Sequence, residues 1–164
     1  MYYRFGKAFY FLSVAFFVFL LLYFYSALPD SVAYQFDEEG FAVSSLSRSG
    51  FFYGMVLVFL LINAVVLFPP KMLETKSHRR LHRIFPLGDI FRDYFLTWFY
   101  SFGGVVNLSL SLLVFYIHSI NNQEEIRSYD LDFVFYLVPF FLIVWIVVLF
   151  LLFAGKARQL KSQG

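Results

Sequence analysis

The sequence predicts an all-α protein: a four-helix transmembrane bundle with both termini in the cytoplasm. Three observations predict it. The first is composition. Of 164 residues, 60% are hydrophobic and 15% are charged, against about 25% charged in an ordinary soluble domain. The second is a set of four long apolar runs, about residues 9–27, 51–68, 94–118 and 131–154. A helix rises 1.5 Å per residue, so about 20 residues cross a hydrocarbon core about 30 Å thick. No Asp, Glu, Lys or Arg lies in the middle of any run, where each would cost about 2.5–3.5 kcal/mol.

The third observation is where the charges fall. The stretch Lys71–Arg92 holds six of the thirteen Lys and Arg residues and lies between two apolar runs. Four crossings put it on the same side as both termini. That side then holds eleven basic residues: Arg4, Lys7, Lys71, Lys76, Arg79, Arg80, Arg83, Arg92, Lys156, Arg158 and Lys161. The other side keeps Arg48 and Arg127, with eight of the eleven acidic residues. Short loops rich in Lys and Arg stay in the cytoplasm.

Arg4 and Lys7 precede the first run, Phe9–Ala27. A cleaved signal peptide has an apolar region of about 7–15 residues and small residues at its cleavage site. This run is longer, and Tyr25 stands where a small residue would be needed, so a retained span is expected. Leu28–Ser49 reads as a polar, acidic loop in which Pro29 stops the helix and Asp37, Glu38, Glu39 and Gly40 turn the chain. The second run, Phe51–Phe68, is expected to end sharply at Pro69-Pro70, because proline cannot continue a helix. The basic loop 69–93 follows. Its last part, Asp89–Trp98, mixes charges with aromatics. It either lies along the interface or extends the third helix, and extension is the favoured reading. Tyr94–His118 is the third run, Ser119–Asp130 is polar, and Leu131–Ala154 is the fourth. Gly155 is placed to cap that helix, and the basic tail after it is expected to fray. There is no internal repeat, so residues 1–164 form a single integral membrane domain.

Several small and polar residues interrupt the apolar runs. Gly50 and Gly54 form G-x-x-x-G, which lets helix backbones approach. It serves either a dimer contact or, preferably, a contact within the bundle. Gly103, Asn107 and Ser111 fall near one face of span three, with His118 further along, and Asn63 in span two is placed to answer them. They form either a polar pocket or, preferably, a hydrogen-bonded seam between helices. A transport path usually contains ionisable groups inside the membrane, and the only ionisable member of this set, His118, is placed at the outer interface. Tyr23, Tyr25, Trp98 and Tyr100 read as interfacial aromatic belts.

Outside the spans, Arg79, Arg80 and Arg83 are placed to meet anionic lipid headgroups. Nucleic acid is not an expected partner, because the adjoining spans already explain the cluster. His78 and His82 are four apart but lack a third ligand and sit among arginines. Asp37, Glu38 and Glu39 lack the ligand spacing of a calcium loop. The chain has no cysteine, which excludes disulfides, thiolate metal sites and a Cys nucleophile. It has no phosphate-cradling Gly loop, zinc-protease helix or nucleophile elbow. No catalytic, cofactor-binding or metal-binding residue is therefore assigned, and no cofactor is expected.

Leu28-Pro29-Asp30, Val32, Phe36, Gly40 and Ser49-Gly50-Phe51-Phe52 resemble the first outer loop of the SdpI-type family of bacterial multispan membrane proteins. The resemblance covers roughly the first 70 residues. The family's loop Pro and His are replaced by Ala33 and Gln35. The resemblance implies a bacterial plasma membrane. It also implies, for Pro29, Asp30, Gln35, Phe36 and Gly40, an outward-facing recognition loop of the kind that immunity proteins against a secreted toxin carry. The leading expectation is nevertheless a non-enzymatic accessory or structural subunit, with other membrane proteins as partners. The alternatives are an SdpI-like immunity or signal-sensing protein and a small transporter.

Overall fold

Backbone amides and carbonyls find no water inside lipid, so a chain of this composition pairs them within helices. The computed structural model describes residues 3–36, 41–75, 79–122 and 133–162. In chain order the elements are α1 (Tyr3–Ala27), β1 (Ser31–Phe36), β2 (Ala42–Ser47), α2 (Arg48–Glu74), α3 (Arg79–Ile84), α4 (Ile90–Asn121) and α5 (Phe133–Ser162). Helices α1, α2, α4 and α5 are each long and apolar enough to cross a membrane. The protein is an all-α, multi-pass bundle of four helices with one small hairpin.

Helix α4 is the central post, against which α1, α2 and α5 all pack. Helix α1 runs parallel to it, from Gly6 beside Thr97 to Phe24 beside His118. The buried positions of α1 are Gly6, Tyr10, Ser13, Phe17, Leu21 and Phe24. Steps of three and four residues place them in one stripe. Phe51, Met55, Phe59, Asn63, Pro70 and Leu73 form the matching stripe on α2. At the hairpin end, Phe17 stacks on Phe59 with ring centroids 4.4 Å apart, in a cluster with Phe24, Val114 and Ile117. At the opposite, basic end a second cluster gathers Tyr10, Leu73, Phe95, Leu96 and Tyr100. Helix α5 is peripheral and leans on α4 through a reciprocal tryptophan contact. Trp98 donates to the Trp145 carbonyl (2.8 Å), and Trp145 donates to the Ser101 hydroxyl (3.1 Å).

Two helix ends differ from the sequence expectation, and a third follows its favoured reading. Helix α2 does not stop at Pro69-Pro70 but continues to Glu74. Proline removes a donor, yet its fixed φ is itself helical, and tertiary contacts hold the turns beyond it. Pro70 and Leu73 are buried, Arg92 binds the Leu73 carbonyl, and Lys7 binds Glu74. Gly155 does not cap α5, which runs on to Ser162. Its missing side chain instead admits the Phe91 ring, and a Cβ there would lie 2.9 Å from Phe91 Cε1. The basic tail is correspondingly helical through Ser162 rather than frayed. Helix α4 begins at Ile90, so Asp89–Trp98 is the extension of the third helix. Asp89 is its N-cap, accepting from the Phe91 amide (3.0 Å), and Gly88 makes the turn before it at φ 89°. An Asp side chain satisfies one of the free amides at a helix start.

The loop 28–49 is also more ordered than its polar composition implied. Strands β1 and β2 pair antiparallel, with Ser31 opposite Ser47 and Val32 opposite Leu46. The register is irregular between Ala33 and Phe36, which breaks the alternation that would have marked the strands in sequence. The expected turn at Asp37–Gly40 lies outside the described residues.

Candidate functional sites at the middle and the two ends of the bundle

The middle of the bundle holds a connected polar cluster. Tyr10, Ser13, Asn63 and Asn107 each sit on the buried stripe of their own helix. The Tyr10 hydroxyl donates to Asn63 Oδ1 (2.8 Å), and Asn63 Nδ2 donates to Asn107 Oδ1 (2.8 Å). Asn107 Nδ2 donates to Ser13 Oγ (3.1 Å), and the Ser13 hydroxyl donates to the Tyr10 carbonyl (2.7 Å). Asn63 Nδ2 also donates to the Phe59 carbonyl, and Ser111 donates to the Asn107 carbonyl. The loop joins three helices and closes on itself. Buried amides in lipid demand partners, and here they find one another.

Sequence reasoning pairs Asn63 with Asn107, and the structure brings them together. It misses Ser13 and Tyr10, although their three-residue spacing in an apolar run was the available signal. Gly103 is not part of the hydrogen-bonded loop. It gives space to the Tyr10 ring, and the neighbouring Gly104 does the same for the Phe9 ring. His118 is also separate, stacked on Phe24 at 4.3 Å. Among the described residues, Gly50 and Gly54 are not brought against another helix. A Cβ on Gly50 would meet only the Ser47 hydroxyl that caps its own helix, and Gly54 has open space around it. The close approach of helices occurs instead at Gly6, Gly103 and Gly104 on α1 and α4.

The basic end is partly internal. Lys7 pairs with Glu74 at 2.6 Å and lies over the Tyr100 ring at 5.1 Å. Buried Arg92 donates through Nη2 to the Leu73 carbonyl (2.8 Å), close to the C-terminus of α2, where a cation is favoured. Lys156 pairs with Asp89, the two side chains being only 6% and 4% exposed. Lys156 also reaches Gln159 Oε1 (2.9 Å) and lies near the faces of Phe85 and Phe91. Three of the basic residues counted on this side thus act as ties between helices. Arg79 and Arg80 belong to α3 together with Arg83, which is exposed. His82 meets the Thr75 carbonyl at 2.8 Å, and His78 lies outside the described residues. Among the described residues no group of three or more His, Asp or Glu side chains could hold a metal.

At the other end the hairpin is clipped to α4. Asn121 Oδ1 accepts from the Ala33 amide, and Asn121 Nδ2 donates to the Ala33 carbonyl, both at 2.8 Å. This side chain occupies both main-chain groups as a neighbouring strand would. Val32 is fully buried beneath it. Arg48 closes the base, pairing with Asp30 (2.7 Å) and bonding the Leu28 carbonyl (3.3 Å). Pro29, Asp30 and Gln35 are exposed, and Gln35 accepts from the Ser44 hydroxyl (3.3 Å). Phe36 ends β1, and Gly40 lies outside the described residues. Tyr34, Phe41, Val43 and Leu46 expose apolar side chains on the same hairpin.

Comparison with family models, with curated proteins and with solved structures finds no match to this chain.

Proposed function

We propose that this multi-pass membrane protein is a non-enzymatic accessory or structural subunit of a larger membrane complex. Its basic end would face the cytoplasm of a bacterial cell. One observation carries the reading: a hairpin beyond the helix ends, clipped by Asn121, that displays Tyr34, Phe41, Val43 and Leu46. Exposed apolar side chains outside the spans are a surface that another protein can cover. The interior supports the same reading. Its polar side chains bond one another across three helices, which suits a rigid support better than a path for a solute.

The test is a photo-crosslinking residue at Leu46 in the cell, followed by mild-detergent purification and mass spectrometry. The expected result is covalent capture of a defined membrane protein from the hairpin position and none from Leu57, an exposed position on α2. Recovery of a free monomer with no crosslink at Leu46 would remove the reading.

A second reading, an SdpI-like immunity or signal-sensing protein, is favoured by the same hairpin, because it is the stretch that carries the resemblance. Exchanging residues 29–47 for an unrelated hairpin separates the two. Loss of response to a toxin or signal, with the complex still assembled, supports recognition.

A further inference from the structure

At the basic end, α3, the turn before α4 and the last turns of α5 enclose a cleft of about 490 Å³. Its polar lining is Arg83, Asp89, Lys156 and Gln159, and its apolar rim includes Leu87 and Leu160. We propose that this cleft seats the headgroup phosphate of one anionic phospholipid, with Arg83 as the principal contact and the apolar rim against the upper acyl chain.

The charges favour an anion. Asp89 is neutralised by Lys156 and by the Phe91 amide, which leaves the Arg83 guanidinium as the uncompensated charge of the lining. Arg83 is exposed and has no carboxylate partner among the described residues. A guanidinium presents paired N–H donors that match phosphate oxygens. Lys156 bonds the oxygen of the Gln159 amide, which directs that carbonyl away and leaves the amide NH₂ as a second donor. The rim decides between a lipid and a soluble phosphate. Leu87 and Leu160 are 75% and 45% exposed beside the guanidinium. Apolar groups next to a cation at a helix end suit the boundary between headgroup and acyl chain, and inorganic phosphate would gain nothing from them. The proposal needs only the membrane setting of the chain, not the accessory-subunit reading.

The experiment uses the full purified chain without partners, so it can fail independently of that reading. Native mass spectrometry would follow phosphatidylglycerol and phosphatidylcholine of matched chains titrated into the protein in mild detergent. The expected result is one retained phosphatidylglycerol, bound several-fold over phosphatidylcholine. Arg83→Gln should cut that occupancy about fivefold with an unchanged unfolding midpoint, since the residue is exposed. Leu87→Asn with Leu160→Asn should weaken it as well, whereas Arg158→Gln, which is exposed and outside the lining, should not. Equal binding of the two lipids, wild-type binding by Arg83→Gln, or displacement of the lipid by inorganic phosphate at similar concentration would each overturn the proposal.

Discussion

Asn107 is completely buried in α4, and both ends of its amide are engaged, one by Asn63 and the other by Ser13. Asn107→Leu is expected to destabilise the bundle by about 1–2 kcal/mol, since interhelical bonds in lipid average about 0.6 kcal/mol and the change strands the Asn63 donor as well. Equilibrium unfolding in detergent measures it, and Asn63→Leu combined with Asn107→Leu should fall short of the sum of the singles. Lys156 makes the larger difference. Lys156→Met leaves Asp89 charged and enclosed, for an expected loss of about 3–5 kcal/mol. Asp89→Asn added to it should restore much of that loss, because asparagine still caps α4. A double variant no more stable than Lys156→Met would show that the pair contributes through packing instead. Lys156 was legible in sequence only as one more positive charge. Nothing in the run K-A-R-Q-L-K tells that its first member turns inward, because the partner is 67 residues away.

Helix contacts raise the same point one level up. Gly-x-x-x-Gly at Gly50 and Gly54 was the readable motif, yet the close approach is made at Gly6, against the Thr97 backbone, and at Gly103 and Gly104, against the Tyr10 and Phe9 rings. A Cβ on Gly104 would overlap the Phe9 ring, so Gly104→Val is expected to lower stability by about 1–3 kcal/mol. Gly54→Ala meets nothing within 4 Å and should be neutral or slightly stabilising, as alanine favours helix. Thermal unfolding of the two variants side by side tests the assignment, and equal losses would contradict it. Asn121→Leu removes both bonds to Ala33, and the Ala33 amide should exchange with deuterium at least tenfold faster while the α4 amides near Asn107 stay protected. Unchanged exchange at Ala33 would mean that burial of Val32 alone holds the strand.

For the whole molecule the open variable is orientation. Charge asymmetry is the basis on which we propose that the basic end faces the cytoplasm, and the absence of cysteine from the sequence makes the experiment direct. Ser45→Cys, in β2, should react with a membrane-impermeant thiol reagent in intact cells, and Ser162→Cys, near the end of α5, should react only after lysis. The reverse pattern would invert the topology and remove the positive-inside reading.

What the sequence determined alone is the number of membrane-length apolar helices and the apolar run inside each. Bilayer thickness sets a length, and uncharged runs of that length can be read one residue at a time. Asn63 with Asn107 was readable for a related reason: an amide in lipid must find another polar group, and few were on offer. Only the tertiary structure decided that α4 is the central post and that α2 outlasts its prolines. It also decided that Lys7, Arg92 and Lys156 turn inward and that 28–49 folds into a clipped hairpin. Each of those outcomes depends on a partner distant in the chain, so local pattern carries no trace of it.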